Sequence, residues 1–93
     1  MIRSIRSKAI RAYWTKGDAS GIRPDWLKRV RLVLSRLDVA AVPQEMDLPG
    51  LSFHALSGDM AGRFAVSVSR NWRITFAFDG EDAVDVDMED YHG

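Results

Sequence analysis

Cysteine is absent from these 93 residues, which removes disulfides, thiolate nucleophiles and cysteine-bound metal from consideration. No apolar run approaches the roughly 18 residues that a membrane-spanning helix needs. The opening stretch M-I-R-S-I-R-S-K-A-I-R-A-Y-W lacks the apolar core of a secretory signal. Its pattern serves the fold instead, and the cytoplasm is the simplest compartment. There is no glycine-rich phosphate loop or dinucleotide fingerprint, and Gly80 reads as a turn residue. Histidine is scarce. His54 and His92 stand far apart among scattered acids, without the spacing of a metal site, so neither metal nor cofactor is expected. Repeats, linkers and low-complexity tracts are missing too. Residues 1–93 therefore read as one domain, because two cores cut from this length would each be too small to fold.

Net charge is also absent, with 13 basic residues against 13 acidic ones, but the signs are separated along the chain. Residues 1–37 hold ten Lys/Arg against Asp18 and Asp25; residues 38–93 hold Arg63, Arg70 and Arg73 against eleven acids. Two readings follow: complementary halves that fold against each other, or a basic flank that meets a polyanion. Charge alone favours the first, since basic residues spread along helices usually form a solvated face.

What is present is a change of period. Residues 1–6 can form an edge strand. Ala9, Ile10, Tyr13 and Trp14 recur at helical spacing over residues 8–16, with Gly17 as the residue that ends the helix. Pro24 suits the first position of a second helix over residues 24–40, in which Leu27, Val30, Leu34 and Leu37 line one face. Residues 42–50, with Pro43, Pro49 and Gly50, form a loop. Beyond it the apolar period falls to two. Strands are expected over residues 51–57 and through Phe64, Val66 and Val68. Two more run through Trp72, Ile74, Phe76 and Phe78, and through Val84, Val86 and Met88. The fold class is α+β: two N-terminal helices packed on the apolar face of a mostly antiparallel sheet. Trp14, Trp26 and Trp72 fall on apolar stripes and are assigned to the core.

Pairing apolar with apolar sets Val84 opposite Phe78 and Met88 opposite Ile74. Arg73 then lies on the polar face, opposite Glu89 and with Ser67 on its other side. Tyr91 shares the parity of Glu89, so Arg73, Tyr91 and His92 can converge there. Asp85 and Asp87 share that face as well and make it locally acidic.

Three stretches, A-L-S-G-D-M-A-G over residues 55–62, V-S-R-N-W-R-I-T-F over residues 68–76 and E-D-Y-H over residues 89–92, resemble the HigB group of toxins in the RelE/ParE superfamily of toxin–antitoxin systems. Met1-Ile2-Arg3-Ser4, Gly17 and Gly21 fit the same group, so the resemblance covers nearly the whole chain. It implies a RelE-like microbial ribonuclease fold and ribosome-dependent cleavage of mRNA in the A site. It also implies neutralisation by a HigA-like helix-turn-helix antitoxin, with the free toxin a monomer and the complex a heterotetramer.

Metal-free RNA cleavage needs a base for the ribose 2′-hydroxyl, a counter-charge for the phosphorane and an acid for the leaving oxygen. By resemblance His54 and His92 take the two proton roles, in an order left open. Arg73 is the candidate oxyanion stabiliser, since its planar fork suits phosphate oxygens; an ion pair with Glu89 is its structural alternative. Asp90 either orients His92 or is a solvated carboxylate, and Tyr91 either touches RNA or anchors the tail. Arg63, Arg70 and Asn71 are candidates for RNA or ribosome contact. Some relatives carry lysine where this chain has Ser57, which predicts weaker cleavage unless Arg63 or Arg70 supplies the charge. Two alternatives stay open: a ParE-like inhibitor of DNA gyrase, and a weak toxin that mainly binds its antitoxin.

Overall fold

A computed structural model of the chain describes residues 1–90; Tyr91, His92 and Gly93 lie outside the described residues. The first helix, α1 (Lys8–Lys16), has the bounds that the sequence pattern predicts, because both ends are capped. Ser7 Oγ accepts the Ile10 N–H at 3.2 Å. Gly17, at φ 73°, turns the chain so that its own N–H and that of Asp18 reach the Tyr13 and Ala12 carbonyls. Gly21 then passes so close to α1 that a Cβ there would stand 3.0 Å from that of Ala9.

The second helix, α2 (Leu27–Val39), is shorter at its start than expected. Pro24 does not occupy its first turn. The Trp26 and Leu27 N–H groups bond three residues back, to Arg23 and Pro24, and this tighter turn precedes the helix. The core-facing stripe is as read: Val30, Val33, Leu34 and Leu37 are buried together with Ile10 of α1. The following loop folds over as a single 3₁₀ turn (Pro43–Met46) that buries Met46.

Four antiparallel strands follow in spatial order: β1 (His54–Ala55), β2 (Phe64–Ser67), β3 (Trp72–Asp79) and β4 (Asp82–Asp90). The expected strand over residues 51–57 shrinks to β1. Ser52 sits at φ 52°, in the left-handed region, and breaks the extended run. Phe53, Phe64, Phe76 and Phe78 form a ladder across the inner face, with successive ring centroids 5.7, 6.0 and 6.1 Å apart. The helices cover this face through one contiguous core.

Residues 1–6 do lie along a strand edge. Ile2 bridges Ala83 and Ile5 bridges Val86, both in parallel sense, so the segment flanks β4. Here the two charge-separated halves meet. Arg3 pairs with Asp79 and Asp82, and Arg6 with Asp85 at 3.6 Å.

Register is where pattern and structure part. Met88 faces Ile74 and Glu89 faces Arg73, as expected, but Val84 faces Ala77 rather than Phe78. Between Thr75 and Ala77 the strand β4 carries an extra residue, so Asp85 and Val86 together oppose Phe76. Asp85 takes the left-handed conformation this requires, at φ 52°. The phase flips there: Ala83, not Val84, is fully buried alongside Val86.

Candidate active site

The outer face of the sheet carries its polar side chains in rows set by the register. Ser67, Arg73 and Glu89 form one row across β2, β3 and β4; His54, Ala65, Thr75 and Asp87 form the next. Strand spacing sets His54 about 10 Å from Thr75. Arg73 is half-buried, with Nη2 3.9 Å from the Met60 sulfur. Met60 belongs to a 3₁₀ turn, Gly58–Met60, whose capping residue is Ser57. The L-x-G-D segment is thereby folded against Arg73, and Ser57 is exposed at its start.

His54 is exposed on β1 and its Nδ1 lies 2.9 Å from the Ser52 carbonyl oxygen. A carbonyl only accepts, so Nδ1 holds a proton in this bond and Nε2 is the ring nitrogen left uncommitted by it. The left-handed Ser52 that ends the expected strand is also what aims this carbonyl.

Arg63 is drawn into the sheet rather than projecting from it. Its Nη2 donates to Thr75 Oγ1 and to the Asp85 carbonyl oxygen, both at 2.8 Å. Thr75, like its cross-strand neighbour Ala65, is completely buried on this face. Burial pushes the Arg63 guanidinium below its ordinary range, and neighbouring Arg6 adds to the shift; Glu89, Asp85 and Asp87 oppose it. Arg63 Nε and Glu89 Oε2 are buried without a hydrogen bond among the described residues. Arg6, Arg63 and Arg73 thus stand among Asp85, Asp87 and Glu89, and the face is near electrical balance. Of these carboxylates Asp85 pairs with Arg6, while Asp87 and Glu89 act on Arg63 through their charge alone.

Arg63 joins β3 to the bulge of β4, and the row that holds Arg73 opposite Glu89 lies just beyond. Replacing it by methionine keeps the apolar stem and removes both donors. Urea denaturation is expected to show a loss of about 1–3 kcal/mol, the usual cost of leaving buried acceptors unpaired. Adding Thr75→Val is expected to recover part of it; strict additivity of the two changes would refute the clamp.

The remaining candidates are placed apart. Arg70 and Asn71 are exposed in the turn between β2 and β3. Asp90 pairs with Trp72, so it falls on the parity opposite to Arg73. The site residues Tyr91 and His92 lie outside the described residues. Thr75, Met60 and Arg6 were not singled out by sequence; only the isolated threonine on an outward strand position hinted at a polar anchor. Among the described residues no three His, Asp or Glu side chains group to hold a metal ion, and no helix is long and apolar enough to cross a membrane.

Residues 3–92 match the family described as RelE-like toxin of type II toxin–antitoxin system HigB. The chain belongs to this family of HigB-like toxins. The HigB-like toxin is 35% identical to the endoribonuclease HigB of Proteus vulgaris, over 99% of this chain and the whole of that protein. Among solved structures it is similar to a copper-bound mutant toxin from Helicobacter pylori, at TM-score 0.57 and 15% identity, covering 99% of this chain and 97% of that one. It is also similar to YafQ from an Escherichia coli strain, at TM-score 0.56 and 11% identity, covering 99% and 96%. These two establish the shared fold of the HigB-like toxin: two helices on a four-stranded antiparallel sheet. As a type II toxin it has an antitoxin for a partner.

Proposed function

We propose that this toxin is an endoribonuclease that cuts mRNA in the ribosomal A site by metal-free acid–base chemistry. The observation that supports this reading is Arg73, half-buried on the polar face of the sheet between Ser67 and Glu89, in a chain 35% identical to an endoribonuclease. A guanidinium held in that position offers two parallel donors to the non-bridging oxygens of a phosphorane. His54, whose Nδ1–H is engaged by the Ser52 carbonyl, takes the proton of the 2′-hydroxyl at Nε2 when the ring is neutral. His92 returns a proton to the 5′-oxygen, with Asp90 orienting it and Tyr91 beside the phosphate. The products are a 2′,3′-cyclic phosphate and a 5′-hydroxyl. Proton transfer falls to imidazole and charge to guanidinium, so no step is assigned to a metal.

The basic residues of α1 and α2, together with Arg70 and Asn71, would hold rRNA and mRNA through contacts that weaken steeply with salt. The ribosome supplies the positioning that a nearly neutral face does not. Residues 1–93 act as one unit in the cytoplasm, monomeric when free and heterotetrameric with a HigA-like helix-turn-helix antitoxin. Ser57, in place of a lysine, favours one second reading: a non-enzymatic toxin that binds DNA gyrase.

Primer extension on a defined mRNA, with and without ribosomes, tests this. Cuts that need ribosomes are expected for the wild type, with His54→Ala and His92→Ala each lowering them by about 10²–10⁴. Full cleavage by both variants overturns the assignment. Intact mRNA together with inhibited supercoiling selects the gyrase reading.

A further inference from the structure

Trp26 and Trp72 are only half-buried: Trp26 packs against the core from its rim, and Trp72 is not the core residue its apolar stripe suggests. Along the inner face of β3, Ile74 and Phe76 are fully buried, whereas Trp72 lies at the rim and is only half-buried. Its ring packs on that of Trp26 at 5.4 Å and 44°. The Arg23 guanidinium lies 5.0 Å from the Trp26 ring, held there by both carboxylate oxygens of Asp25. Exposed Arg70 and Asn71 directly precede Trp72 in the turn. From Val68, whose N–H bonds the Trp72 carbonyl, a groove of about 480 Å³ runs along Lys28, Arg29 and Leu32 of α2.

Partly open indoles beside cations are what an unpaired nucleotide recognises: a flat π face for its base and positive charge for its phosphates. The cations here are Arg23, Lys28, Arg29 and Arg70; the anions are Asp25 and, in register with Trp72, Asp90. Arg29 is already committed to the Gly50 and Ser67 carbonyls, so exposed Lys28 and Arg70 are the phosphate-facing groups. Trp72 and Arg73 are consecutive, with their side chains on opposite faces of β3. A strand leaving Arg73 around the β2–β3 turn arrives at the tryptophans.

We propose that the Trp26–Trp72 edge is a single-stranded RNA ledge: one base stacks on the indoles while its phosphates lie along Lys28 and Arg70. The ledge rests on the mRNA-cutting reading only for the identity of the strand. A 2′-O-methyl RNA 12-mer, which has no free 2′-hydroxyl to attack its own backbone, is the probe. It is titrated in low salt into protein carrying Trp14→Phe, and the remaining tryptophan emission is followed. Saturable quenching is expected, with affinity falling about tenfold or more in Trp72→Leu. Lys28→Gln and Arg70→Gln, which leave the packing intact, are each expected to weaken binding and to lower the salt slope by about 0.7. No quenching, or unchanged affinity in Lys28→Gln and Arg70→Gln, overturns the ledge. Primer extension on the same preparations separates the two readings. Ribosome-dependent cutting whose dependence on mRNA concentration is the same in every variant removes the ledge alone. A 12-mer held by the ledge without any cutting removes the mRNA reading alone.

Discussion

Arg73→Gln is expected to leave a folded protein whose mRNA cleavage is slower by about 10²–10³, the usual consequence of removing one donor from a developing oxyanion. Glutamine keeps a polar amide but is shorter, and it loses the charge and the fork. Arg73→Lys is expected to restore little, because an ammonium offers a point charge where the phosphorane needs two parallel donors. Stability is followed separately: the strands on either side of Arg73 are held by backbone bonds, and Arg73 Nη2 lies 3.9 Å from the Met60 sulfur. Primer-extension rates alongside a melt make the check. Cleavage within a factor of three of the wild type would mean that phosphate charge is met by another cation.

Phe76→Ala is expected to be the most damaging single change to the fold. Phe76 is fully buried and stands in the middle of the aromatic ladder, between Phe64 on β2 and Phe78 on its own strand. Losing a buried phenyl ring costs about 3–5 kcal/mol in transfer and cavity terms. A domain of this size has roughly 5–15 kcal/mol to lose. The variant should therefore be largely unfolded at 37 °C or melt far below the wild type, and the antitoxin partner should rescue it by mass action. Phe76→Leu keeps most of the volume and should cost about 1–2 kcal/mol. Urea titrations of both decide it; a cost under ~1.5 kcal/mol for alanine would mean that the ladder is not what ties β2 and β3 to the helices.

The sequence was legible where local chemistry and long-range packing agree. For α1, Ser7 and Gly17 are the residues a helix end requires, and the bounds followed. For α2, the stripe was right and the proline misleading, because Pro24 serves a tighter turn before the helix. The row Ser67–Arg73–Glu89 followed from matching apolar positions, which put Arg73 on the polar face of the sheet. The bulge could not be read. Val84, Val86 and Met88 alternate without fault, and nothing in that run announces a left-handed Asp85. What selects it is distant: Arg63 donating to the Asp85 carbonyl, and the Asp85 N–H donating to Ser4 Oγ at 2.8 Å. Ser52 was hidden for the same reason, since its unusual backbone serves His54 and not the strand. Trp72 misled in the opposite direction, because a residue at the end of an apolar stripe shares its parity without sharing its burial.

The segment that flanks β4 has a consequence for synthesis. Ile2 waits for Ala83, a partner 81 residues away. At roughly 5–20 residues per second, an N-terminal strand stays unmatched for several seconds while the rest is being made. An apolar edge left open for that time invites pairing with a neighbouring chain. Arg3 and Arg6, set beside Ile2 and Ile5, put like charges on that edge, the kind of feature that disfavours edge-to-edge pairing. When Asp79, Asp82 and Asp85 emerge, the same arginines become the latch that draws the first segment of the newborn toxin to its last strand.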